Sequence, residues 1–154
     1  MTTFKYEVEI QVPVEYSFEW GLDPENWQRS MPGITNVEVL GETDEGTRHR
    51  TTFKMFGQSS TDESTFIVVE PNEHAYSRIE GPDMFGEMHY RFSETPEGSL
   101  VHFEAEFDDP ESLVERTLQP VFNRYLDRQF RNHLQTMKDL VEAEHAETEA
   151  VMSR

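Results

Sequence analysis

The feature that most constrains this chain is a long apolar stripe near its end. Leu118, Val121, Phe122, Tyr125, Leu126, Phe130, Leu134, Met137, Leu140 and Val141 recur at spacings of three, one and four. That rhythm predicts an amphipathic α-helix of roughly seven turns. Asp108-Asp109-Pro110 announces it, with acid at the positive end of the helix. Pro120 lies inside the pattern, where it removes a hydrogen bond and clashes with the preceding turn, so a kink or break is expected there. Six fully buried side chains on such a helix contribute about 9–18 kcal/mol of transfer free energy. The helix must therefore be covered by an apolar surface, and the rest of the chain has to supply it.

That surface reads as a sheet. Phe4, Tyr6, Val8, Ile10 and Val12 alternate with Lys5, Glu7, Glu9 and Gln11, a period of two that predicts a strand with one wet face. Pro13 stops it. A short helix is expected over 14–22, and a second over 24–30 with Asp23 as N-cap and Pro24 in its first turn. Met31-Pro32-Gly33 ends the second, because a residue before Pro is pushed out of the α region. Strands follow over 34–40, 47–56, 61–70, 74–80, 84–92 and 100–107, separated by turn residues that include Pro71-Asn72 and Gly81-Pro82. In the last pair, Met88, Tyr90 and Phe92 share a face with Val101, Phe103, Ala105 and Phe107, and the other faces are charged. The register of 61–70 is ambiguous, since Phe66/Val68 and Thr65/Ile67/Val69 are both apolar enough to face inward. One domain over 1–145 and a frayed tail over 146–154 are expected.

Composition bounds the partners. Leu, Ile, Val and Phe make up 35 of 154 residues, just above the ~20% below which highly charged chains are disordered. The aromatic residues and the clean periodicity argue for folding. There are 31 acidic and 13 basic residues, a net charge of -18. Nucleic acid is thereby excluded as a partner, since phosphates would be repelled. The acids are spread along the chain and Lys is confined to positions 5, 54 and 138, a pattern expected of a halophilic protein. Without Cys there is no disulfide and no thiolate metal site. The N-terminus has no signal-peptide pattern, and no apolar run reaches the ~20 residues of a membrane span. A soluble cytoplasmic protein is the expectation, with its oligomeric state open.

The order strand, two short helices, six strands, long helix resembles the helix-grip fold of the START/Bet v 1 (SRPBCC) superfamily. More narrowly it resembles the polyketide cyclase/dehydrase and lipid-transport family. The residues carrying the likeness are Val8 to Pro13, Asp23-Pro24 with Trp27, Pro32-Gly33-Ile34 before Val37 and Val39, Tyr90-Arg91-Phe92, Val101 to Phe107, and the helix pattern with Pro120, Arg124, Met137-Lys138 and Glu142. It spans about residues 4–144. It implies an α+β fold in which a seven-stranded antiparallel sheet wraps the C-terminal helix, leaves a cavity between them, and is closed at one end by the two short helices. Trp27 would then project from a closing helix, either plugging the core or touching a ligand.

Candidate chemistry follows from the inward faces. His49, Thr51, Phe53 and Met55 fall on one face of their strand, so His49 is a pocket acid–base group or a satisfied structural residue. The resemblance implies that Tyr76 and Arg78 point inward. There Arg78 would clamp a carboxylate or polarised carbonyl; the alternative is an ion pair with Glu63 or Glu80. Tyr90 and Tyr125 bring hydroxyls that need a partner, protein or ligand. His89 and His102, flanked by Glu87 and Glu104, suggest a zinc site, but they sit on the charged face, and no metal or cofactor is assigned. GxSxG, P-loop and GxGxxG motifs are absent. The expected function is binding of a small hydrophobic or amphipathic molecule, lipid, polyketide or quinone-like, by Trp27, His49, Phe53, Tyr76, Arg78, Met88, Tyr90, Phe122 and Tyr125. The alternatives are a cyclase/dehydratase-type enzyme using His49, Arg78 and Tyr90, and a protein-interaction module.

Overall fold

A computed structural model describes residues 1–81 and 84–153. The elements run β1 (Thr2–Ile10), α1 (Val14–Gly21), α2 (Pro24–Ser30), β2 (Ile34–Glu42), β3 (Thr47–Met55), β4 (Gln58–Glu70), β5 (His74–Glu80), β6 (Phe85–Thr95), β7 (Gly98–Phe107) and α3 (Leu113–Met152). The strands form one antiparallel sheet in the order β1-β7-β6-β5-β4-β3-β2. Its inner face holds α3, and α1 with α2 cover one end: the expected helix-grip architecture. The turn expected at Gly81-Pro82 falls partly outside the described residues.

The two ends of this sheet pack differently. Under β1, β7 and β6 the inner face is large and apolar, and Ile10, Val101, Phe103 and Ala105 are at most 1% exposed. Phe130, Leu134, Met137 and Val141 of α3 fill the space above them. Gly86 lets β6 and β7 close up, because a Cβ there would stand 2.2 Å from the Glu106 carbonyl oxygen. Under β3, β4 and β5 the inner face carries Thr51, Asp62, Ser64 and Ser77 instead. These short side chains do not reach α3, and the difference leaves the cavity described below.

The caps behave as the sequence predicts. Asp23 accepts from the Glu25 amide at 3.0 Å, and Met31 is extended ahead of Pro32. Asn26 Nδ2 donates to the Trp20 carbonyl at 2.8 Å, which ties α2 to α1. Arg29 reaches Glu144 of α3 at 2.8 Å. On the far side Lys138 donates to the Glu9 carbonyl at 2.8 Å, and the Gln11 amide donates to Glu142 at 2.9 Å.

Several expectations are corrected. Of the kink or break expected at Pro120 the break does not occur, since α3 runs on through it. Pro120 is exposed, so water can serve the carbonyl it leaves unbonded. Residues 146–152, expected to be frayed, continue the helix to Met152 and are exposed. The stripe of α3 is buried only from Leu126 to Val141. Earlier on the helix Leu113, Val114, Leu118 and Val121 are between 58% and 79% exposed, because this part of α3 is not covered by the sheet. In β4 the ambiguity resolves with Asp62, Ser64 and Phe66 inward and Thr65 outward beneath Arg48, whose Nη1 donates to Thr65 Oγ1 at 3.0 Å.

Candidate functional site

The cavity lies between α3 and the inner face of β3–β6 and has a volume of about 150 Å³. Phe53, Met55, Ile79, Met88 and Phe107 make its apolar wall from the sheet; Met84, just before β6, and Leu126 and Phe130 of α3 add to it. Its mouth is framed by Met31, Pro32 and Gly33. Gly33 has φ +94°, and a Cβ there would stand 3.1 Å from the Lys54 carbonyl oxygen, so the turn at the mouth requires glycine. Tyr125 stands beside this turn and packs its ring 4.9 Å from that of Phe56, which is 65% exposed on the β3–β4 hairpin.

At the inner end three side chains from three elements form a partition. Trp27 of α2, Tyr90 of β6 and His133 of α3 line both this cavity and a smaller one of about 30 Å³ behind it. Trp27 is held by its indole Nε1, which donates to the Gly21 carbonyl at 2.6 Å. Its ring packs against Phe66 at 5.0 Å and His49 at 4.8 Å. Tyr90 Oη and His133 Nε2 are 2.8 Å apart. Burial pushes the His133 pKa down to about 4 and raises that of Tyr90, so both are neutral near pH 7. His133 Nδ1 has no partner at hydrogen-bonding geometry, although the Ser30 backbone opposes the shift. The Tyr90 hydroxyl and His133 Nε2 share one hydrogen bond, whose donor is set by the His133 tautomer.

The predicted residues divide into those at the cavity and those elsewhere. Trp27, Phe53, Met88, Tyr90 and Tyr125 line it. His49 faces inward but lies behind Trp27. It is 2% exposed, its Nδ1 has no partner, and desolvation lowers its pKa. Phe122 packs against the core without lining the cavity.

Tyr76 and Arg78 are on the opposite face of the sheet from the one expected. β5 pairs Ala75 with Tyr90 and Ser77 with Met88. Cross-strand partners share a face, so Ala75, Ser77 and Ile79 point inward and Tyr76 and Arg78 outward. Arg78 donates to Glu45 at 2.6 Å and Glu80 at 2.8 Å within an Arg–Glu network with Arg48, Arg50 and Glu63. Tyr76 stacks on His89 at 4.6 Å. The His49–Arg78–Tyr90 constellation therefore does not assemble. His89 faces Glu104 and His102 faces Arg91, so the two histidines are not directly opposed. Among the described residues no group of three or more His, Asp or Glu side chains could hold a metal ion.

His133 and Gln129 went unnoticed in the sequence. Both lie on the cavity side of α3, and Gln129 Oε1 is buried with no hydrogen-bond partner. The available signal was His133 falling in the apolar rhythm between Phe130 and Met137.

The sequence matches the family model described as polyketide cyclase / dehydrase and lipid transport over residues 1–142. No match is found among curated proteins. Solved structures share the fold at low identity. A Thermus thermophilus protein aligns with TM-score 0.81 at 16% identity, covering 93% of this chain and 99% of that one. An aromatase/cyclase from a Streptomyces species aligns with TM-score 0.75 at 14% identity, covering 92% and 93%. A START superfamily protein from Mycobacterium smegmatis aligns with TM-score 0.72 at 15% identity, covering 92% and 97%. The chain therefore belongs to the polyketide cyclase/dehydrase and lipid transport family, on the helix-grip fold of the START superfamily.

Proposed function

We propose that this chain binds a small, largely apolar molecule in the space between β3–β6 and α3. The observation that carries the reading is the cavity itself, about 150 Å³ and five times the volume of the space behind the partition. Interiors are otherwise close-packed, and an unfilled void costs stability. The volume suits a single ring with a short substituent, below the ~300–1,000 Å³ of pockets for drug-sized ligands. Family membership and the likeness to an aromatase/cyclase support the reading. Calorimetry against a panel of one-ring apolar compounds tests it: a one-to-one complex is expected, and no binding by any member would remove the reading.

One observation favours a second reading. The Tyr90–His133 pair stands on the cavity wall at 2.8 Å. A neutral His hydrogen-bonded to a Tyr hydroxyl can hold or move a proton at that oxygen, as a cyclase or dehydratase step would need. Tyr90 and His133 would carry it in place of His49 and Arg78. Tyr90→Phe separates the readings: a binder keeps its affinity, whereas an enzyme keeps affinity and loses turnover.

A further inference from the structure

Methionine is concentrated at the cavity. Of the seven in the chain, Met31, Met55, Met84 and Met88 line it, and Met137 lines the smaller space behind the partition. The other two, Met1 and Met152, are exposed near the ends of the chain. The close-packed inner face of β1 and β7 carries no Met and is filled by Ile10, Val101, Phe103 and Ala105. Met is a costly residue for mere filling, because its side chain loses much rotamer freedom when buried. What it adds is a polarisable thioether sulfur, which is attracted to the edge of an aromatic ring.

Aromatic rings supply most of the rest of the apolar wall. Phe53 and Phe107 stand with Met55, Met84 and Met88 on the sheet side, and Tyr125 and Phe130 oppose them from α3. Trp27 and Tyr90 close the inner end. Branched aliphatic side chains are fewer: Ile34, Ile79 and Leu126. An aromatic guest has an electron-rich face and an electropositive edge. It can set edge to face against these rings and take a thioether at its own edge. A saturated guest has no such quadrupole and gains only burial.

We propose that the ligand presents an aromatic ring to this cavity, held between the thioethers of the sheet side and the rings of α3, and that saturated hydrocarbon is the poorer guest. The inference rests on the ligand-binding reading above and names the chemical class of what is bound.

Ligand-observed NMR titrations with toluene, methylcyclohexane and heptane test this. The three have equal carbon counts and no polar group, and heptane is slimmer than either ring, so size alone does not decide among them. Burial of apolar surface would rank toluene last, because it brings the least C–H surface out of water. Toluene is nevertheless expected to bind about ten-fold more tightly than either saturated compound. The double variant Met55→Leu/Met88→Leu, which nearly conserves volume, should cut that advantage to about three-fold or less while heptane's affinity holds. Equal or tighter binding of methylcyclohexane or heptane by the unaltered protein would overturn the inference and leave apolar binding standing. Binding of none of the three to folded protein would overturn both. A full toluene advantage in the double variant would overturn the part given to the thioethers. The comparison on the unaltered protein decides the ligand class even if the double variant does not fold.

Discussion

Tyr90 on β6 and His133 on α3 meet at 2.8 Å, joining the sheet to the helix at the inner end of the cavity. The contact lets both rings sit in an apolar interior, because each supplies the other's hydrogen-bond partner. It also makes the interior sensitive to acid.

The His133 pKa is pushed down to about 4 by burial, from an ordinary 6.5. The unfolded chain therefore binds a proton between those values that the folded chain refuses. His133's contribution is fully present above pH 6.5 and is lost as pH falls toward 4, by on the order of 3 kcal/mol. His49, also depressed by desolvation, acts in the same direction. Melting temperatures of the unaltered protein and His133→Gln should differ in slope between pH 7 and pH 4. Parallel curves would show that His133 is not the group concerned.

Trp27 separates the two cavities and is anchored at Gly21. Trp27→Ala should merge them and cost about 3–5 kcal/mol, as large-to-small changes of aromatic residues do. The merged space should accept two-ring compounds that the unaltered protein refuses. Chemical denaturation reads the first effect and calorimetry the second; unchanged stability would mean that the partition is not packed as described.

Arg78→Gln should leave ligand affinity unchanged, since the guanidinium lies on the outer face with Glu45 and Glu80. Its partly exposed ion pairs contribute about 0–1 kcal/mol. A loss of binding with stability intact would return Arg78 to the cavity.

The net charge of -18 is carried by a domain of roughly 15 Å radius. Between 0.1 M and 1 M salt the Debye length falls from ~10 Å to ~3 Å, and most of the repulsion is screened. The melting temperature followed by circular dichroism should rise steeply from 0.1 M to 2 M KCl. A flat response would refute the halophilic reading of the composition.

Much of this fold is legible along the chain because the signals are local. The period of two in β1, β6 and β7, the Asp23 cap, the Met31-Pro32-Gly33 stop and the stripe of α3 each state a short-range preference, and their order yields the helix grip. The inner face of β3 was readable for the same reason, with Phe53 and Met55 against Arg50 and Lys54. What the local pattern left open was decided by pairing. β5, read as HAYSRIE, shows its larger side chains on the set that faces out, and only the register against Met88 and Tyr90 turns Ser77 and Ile79 inward. β4 is apolar on both faces over residues 65–69 alone, so its neighbours choose for it. The cavity itself is a difference between what the sheet reaches and what α3 fills. Thr51 was readable as inward with Phe53, but Asp62, Ser64 and Ser77 carry no inward signal in sequence; together they become a pocket wall because the sheet carries their short side chains beneath α3. His133 and Gln129 gained their meaning the same way, as polar groups that the tertiary packing closed off from water.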